Sequence, residues 1–166
     1  MSTPCDSVIR VTLDGKTDAF PRNTTIKAVT ERLLDAPAAA ATLGVMRGGV
    51  CMELNEPLTK DCELTSLSYR DEEGRRIYER SLRFLMLAAV LRLYPGRKVR
   101  MLNSVGYGLY VRVEDDLSHA QIREIEAEMR RMAEADLPFE KESWTREQAV
   151  QYFEKMGWTD KAELMR

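Results

Sequence analysis

A chain of 166 residues is long enough to bury a core and to hold one domain or two small ones. Its 44% hydrophobic and 31% charged content is ordinary for a globular protein, and the formal net charge of −2 leans against a broad nucleic-acid footprint. The longest unbroken apolar run, residues 85–91, falls far short of the roughly 20 residues that a bilayer crossing needs, so no membrane partner is expected.

The start, MSTPCDSVIR, lacks a basic segment followed by an apolar one, which predicts a cytoplasmic address. Cys5, Cys51 and Cys62 are odd in number and have no C-x-x-C spacing. They predict reduced thiols, with neither a disulfide framework nor a metal site.

Residues 8–13 alternate, with Ile9, Val11 and Leu13 on one side, as a half-buried strand does. Asp14-Gly15 is a hairpin turn that returns the chain through residues 16–20, and Pro21 closes that strand. Thr25 is placed to cap a helix over 26–35, whose apolar face carries Ile26, Val29, Leu33 and Leu34, and Pro37 is expected to stop it. After an alanine-rich link, residues 45–53 read as a hairpin around Gly48-Gly49, and 64–69 as a last strand.

Residues 71–74, Asp-Glu-Glu-Gly, read as a short polar joint, and the domain boundary is expected there. In the helix that follows, Ile77 to Tyr94 is apolar on nearly every side except for a ridge with Glu79 and Arg83. This predicts a central, covered helix ended by Pro95-Gly96. Two strands are expected over 98–104 and 107–114. In the second, Tyr107, Leu109, Val111 and Val113 share one face, while Gly108, Tyr110, Arg112 and Glu114 take the other.

Ser118 with Gln121 forms a capping box for a helix whose stripe is Ile122, Ile125, Met129 and Met132, expected to lie against a sheet. Residues 137–143 are a candidate edge strand, and Thr145 with Gln148 caps a further helix that Gly157 can end. The expected class is α+β: a small β-grasp domain over 1–70, the joint at 71–74, and over 75–166 an α+β module with a buried central helix.

Charge is lopsided around that helix. Nine cations between Arg75 and Arg112 face a lone acid, Glu79, before Glu114. Two readings stand: a solvated face, or a surface for an anion. The only histidine, His119, sits at a helix start, and neither a nucleophile-elbow serine nor G-x-x-x-x-G-K-[ST] occurs, so no catalytic residue is assigned.

Residues 8–70 resemble a TGS domain, the β-grasp module that opens threonyl-tRNA synthetases. The matching pieces are V-I-R-V-T-L-D-G, the helix after T-T-I-K, the glycine hairpin, L-T-K-D-C-E-L and the exit Y-R-D-E-E-G. The second half resembles the second additional domain of threonyl- and alanyl-tRNA synthetases, in which H-x-x-x-H and C-x-x-x-H line a site that hydrolyses mischarged tRNA. With L-Y-P aligned to L-Y-P, this chain has Arg80 and Phe84 at the two histidine positions, and no cysteine follows Cys62. Neither Arg80 nor Phe84 offers a lone pair or a titratable base at neutral pH, so hydrolysis is not expected.

The two modules joined by D-E-E-G-R-R-I-Y-E-R-S-L are also similar to the N-terminal region of uridine-kinase-like nucleoside kinases. That resemblance implies a non-catalytic accessory region that binds a nucleotide, nucleoside or RNA, with a downstream kinase domain in the same chain as partner. ATP and magnesium would belong to that domain, and no cofactor is expected here.

The expected ligand pocket is Arg80, Arg83, Phe84, Asn103, Ser104 and Tyr107, between the helix and the strand pair; the alternative for Arg80 and Phe84 is an internal ion pair and a core ring. One rival is an editing hydrolase or synthetase fragment. The other is a tRNA-binding module using Arg92, Arg97, Lys98 and Arg100. The oligomeric state stays open.

Overall fold

The computed structural model describes residues 8–105 and 108–166, and the side chains of all of these except 103–105. The chain is α+β and divides into two compact units, Met1–Met129 and Arg130–Arg166.

In the first unit β1 (Val8–Leu13) and β2 (Lys16–Pro21) form the expected hairpin. Its turn needs positive φ at both Asp14 (49°) and Gly15 (81°), which this residue pair tolerates. A two-residue β3 (Thr24–Thr25) leads into α1 (Ile26–Leu33), capped by the Thr25 hydroxyl, which accepts the Ala28 N–H.

The alanine-rich link is itself a helix, α2 (Ala36–Ala41), with the Asp35 carboxylate accepting the Ala38 N–H at 2.8 Å. Pro37 was expected to stop α1, but it lies in the first turn of α2, where its missing N–H would have had no partner anyway. Then come β4 (Gly44–Arg47), β5 (Val50–Met52), the short β6 (Pro57–Leu58) paired with β3, and β7 (Cys62–Leu67).

The five-stranded sheet has the order β2-β1-β7-β4-β5, with β1 and β7 parallel at its centre. This is the β-grasp arrangement. Its core joins Ile9, Val11, Leu13, Phe20, Val45 and Leu64 of the sheet to Ile26 and Val29 of α1, with Leu58 completing it.

Asp14 ties the hairpin to β7. Its N–H donates to the Leu64 carbonyl, and its carboxylate accepts the Ser66 N–H at 3.0 Å and hydroxyl at 2.6 Å.

The polar joint expected at 71–74 is already helical: α3 runs Glu72–Leu93. The Asp71 carboxylate turns back to accept both the N–H (2.7 Å) and the hydroxyl (2.9 Å) of Ser68. Those bonds to the charged form hold its carboxyl below the ordinary 3.8. At Gly74 a Cβ would meet the Ser68 carbonyl oxygen at 1.9 Å, so the first turn of α3 lies directly on the end of β7.

The expectation of a buried central helix is corrected. Only Gly74, Ala89 and Val90 of α3 are buried, and Phe84 is 58% exposed. The physical reason is the size of the neighbouring sheet: β8 (Val99–Val105) and β9 (Gly108–Val113) pair only with each other, and two strands cannot cover a helix of 22 residues. Likewise α4 (His119–Glu134) has the expected Ser118–Gln121 box but buries only Ile125 of its stripe, with Ile122 49% exposed.

Residues 137–143 form no strand. They are exposed, and Pro138 removes a donor.

In the second unit α5 (Arg146–Lys155) starts at the Thr145–Gln148 capping box, and Gly157 at φ 72° ends it. A further helix, α6 (Thr159–Met165), follows. Phe153 stacks on Trp158, and Lys161 lies 4.3 Å from the Trp158 ring centroid.

Two outcomes test the junction at the end of β7. Gly74→Ala should destabilise the 166-residue chain by about 1–3 kcal/mol or more in urea unfolding, because the atom it meets is backbone and cannot swing aside. The contribution of Asp71 should be complete above its ordinary pKa of 3.8 and lost as pH falls through the lower folded value. Asp71→Asn should therefore remove that part of the acid sensitivity, read as a smaller shift of the Ser68 amide resonance below pH 4.

Candidate nucleic-acid interface

Alternation along β8 and β9 sorts the hairpin into two faces. Val99 and Met101 lie across from Val113 and Val111, while Arg100 lies across from Arg112 as Cα partners. One step towards α3 the Glu114 N–H donates to the Lys98 carbonyl at 2.8 Å. Lys98, Arg100, Arg112 and Glu114 thereby line one hollow of about 210 Å³.

Among the described residues Lys98, Arg100 and Arg112 form no ion pair. Like charges directly opposite across an antiparallel pair destabilise it. The sequence therefore places cations where the hairpin alone would be better without them.

Of the other cations from Arg75 to Arg112, Arg75 and Arg80 likewise form no ion pair among the described residues, while three are paired with acids. Arg76 pairs with Glu72 and Glu73, both at 2.6 Å, Arg83 with Glu79 at 3.6 Å, and Arg92 with Glu128 at 3.5 Å.

Tyr94, the last residue before the Pro95-Gly96 stop, donates its hydroxyl to Glu124 at 2.5 Å, which pushes the phenol above its ordinary range. Arg97 lies over the Tyr94 ring, 5.0 Å from its centroid, and its Nη1 is buried with no hydrogen-bond partner.

Of the expected pocket, Arg80 and Phe84 lie one turn apart on α3 and both are exposed. The charge of Arg80 reaches Cys51: it lowers the thiol's pKa against the larger raising effects of burial and of Glu73. Asn103 and Ser104 lie on β8 with side chains outside the described ones, and Tyr107 lies outside the described residues. Among the RNA-binding candidates Lys98 and Arg100 come together, Arg97 is held on Tyr94, and Arg92 is committed to Glu128.

Arg112, which was not among the RNA-binding candidates, lies with Lys98 and Arg100. Its signal was present, since alternation already put Arg112 and Glu114 on one face, but the register that sets Arg112 against Arg100 depends on pairing. Among the described residues no group of three or more His, Cys, Asp or Glu is placed to hold a metal ion, and no helix is long and apolar enough to cross a membrane.

The fold and hairpin together define a β-grasp module carrying a long helix and a basic ribbon. No protein-family model matches the chain. Threonine–tRNA ligases resemble it along nearly its whole length. That of Desulforamulus reducens is 32% identical over 161 residues, 95% of this chain and 25% of the ligase. That of Acetivibrio thermocellus is 33% identical over 162 residues, 96% of this chain and 25% of the ligase. That of Symbiobacterium thermophilum is 32% identical over 154 residues, 91% and 24% respectively.

The chain spans about a quarter of the length of these curated relatives and matches their N-terminal region. They support the synthetase side of the resemblance and lend nothing to the nucleoside-kinase parent.

The cross-strand pair gives a sign test. Arg112→Glu, which replaces a repulsion with an attraction opposite Arg100, should stabilise the first unit by roughly 0.2–1 kcal/mol in chemical unfolding. A loss of stability would mean that the two guanidinium groups are supported from within the chain.

Proposed function

We propose that the chain is a non-catalytic accessory region of the synthetase type, which binds tRNA through the basic face of the β8–β9 hairpin. The observation that carries this reading is the gathering of Lys98, Arg100 and Arg112 around one hollow with no ion pair among the described residues. Cations of this kind bind phosphates, and a two-stranded ribbon is narrow enough to follow a nucleic-acid backbone.

The similarity to threonine–tRNA ligases supplies the class of RNA. The side chains at the positions aligned with the editing histidines support the non-catalytic part. Arg80 is a permanent cation and Phe84 a hydrocarbon ring, and neither can accept a proton from water at neutral pH.

Binding of tRNA to the 166-residue chain should weaken steeply between 50 and 200 mM salt in a mobility-shift assay. Reversing both Arg100 and Arg112 to Glu should reduce the slope of log affinity against log salt by about 0.9 per lost phosphate contact. A slope unchanged by the double reversal would remove the hairpin from the interface. Mischarged threonine tRNA incubated with the chain and zinc should stay acylated, and clear deacylation would replace this reading with that of an editing hydrolase.

A further inference from the structure

A second hollow, separate in its residues from the hairpin, lies where α2, the exit of β7 and the first turns of α3 meet. Its volume is about 490 Å³, in the range of small-ligand sites, and Ala40, Ala41, Leu43, Ser68, Tyr69, Arg70 and Tyr78 line it. Tyr69 and Tyr78 meet edge to face with centroids 5.1 Å apart, yet they are 53% and 46% exposed, so each still offers ring surface. Arg70 is exposed and forms no ion pair among the described residues.

Several backbone groups around this hollow are already engaged. The Leu67 carbonyl accepts the Leu43 N–H, the Ser68 carbonyl accepts the Asp71 N–H, the Ser68 N–H donates to the Asp71 carboxylate, and the Arg70 N–H donates to the Ser68 hydroxyl.

What remains is ring surface, two phenol hydroxyls, a floor of small apolar side chains and one unpaired guanidinium. Ring surface suits a flat, polarisable heterocycle, and a guanidinium suits a phosphate, which it can hold through two parallel hydrogen bonds. A purely apolar ligand would make no use of Arg70.

The geometry points to a mononucleotide site, with the base against Tyr69 and Tyr78 and the phosphate on Arg70. This site is independent of the tRNA-binding hairpin and stands or falls without it.

Titration of the 166-residue chain with AMP, CMP, GMP and UMP, followed by ligand-detected NMR and calorimetry, tests it, with the corresponding nucleosides in parallel. At least one monophosphate should bind, about tenfold or more tighter than its nucleoside. Arg70→Gln should abolish that difference while leaving the nucleoside's affinity unchanged. Because Arg70 is exposed, this variant should fold, which the amide spectrum checks.

Ala41→Leu, which fills the floor, should weaken nucleotide and nucleoside alike. Absence of binding by all four monophosphates at millimolar concentration overturns the proposal. So does equal competition by inorganic phosphate and nucleotide, which would reveal a bare anion site, or binding of single-stranded RNA by a chain that ignores mononucleotides.

Discussion

The contact on which the placement of α3 depends is the one between Gly74 and the Ser68 carbonyl. The end of β7 and the first turn of α3 approach so closely that a Cβ would overlap a backbone oxygen, which leaves room for glycine alone. The Asp71 carboxylate fastens the same spot by taking both donors of Ser68. Gly44, where a Cβ would meet Ile77 Cδ1 at 2.9 Å, repeats the close approach one helical turn further on. The C-terminal end of β7 is thus held by two aspartates on serines, Asp14 on Ser66 and Asp71 on Ser68, and the direction in which α3 leaves the sheet follows from the second of these.

Past this junction the balance of burial changes. The β-grasp core is closed, with Val11, Leu13, Ile26, Val29 and Val45 all at 0% exposure. Along α3 the apolar residues are mostly half-buried, because the β8–β9 pair beside it has too little area to cover them. Each buried side chain of this type contributes about 1.5–3 kcal/mol. The stability of the first unit is therefore concentrated before Asp71, and α3 relies on its N-terminal attachment more than on an apolar sandwich.

What the sequence makes legible here is whatever is chemically local. Asp14-Gly15 and Gly48-Gly49 announce turns because both pairs tolerate positive φ, and all four residues adopt it. Thr25, Ser118 and Thr145 announce helix starts because a hydroxyl at that position has an unpaired N–H to accept, and each does so.

The misreadings share another cause. Pro37 reads as a stop unless the cap at Asp35 places it in a first turn. Asp-Glu-Glu-Gly reads as a joint because nothing in four polar residues reveals that Ser68 will lie under Gly74. The all-round apolar character of α3 suggested a covered helix, since pattern reports what a face would bury and not what is there to bury it. At the candidate site, composition showed the excess of cations, but only pairing showed which of them face each other.

That last distinction carries the functional argument. A basic segment is commonly a solvated face whose charges are spent on nearby acids, and exposed pairs of this kind contribute little either way. Arg76, Arg83 and Arg92 fit that description, each with an acid within 4 Å. Arg75, Arg80, Lys98, Arg100 and Arg112 form no ion pair among the described residues; of these the last three gather at one hollow, where the cross-strand register brings two of them face to face. Two guanidinium groups face to face, in a hairpin already short of buried area, suit the polyanionic ligand proposed above. A polyanion needs no titratable group to hold it, in keeping with the proposal that Arg80 and Phe84, neither of which is a base at neutral pH, do no catalysis.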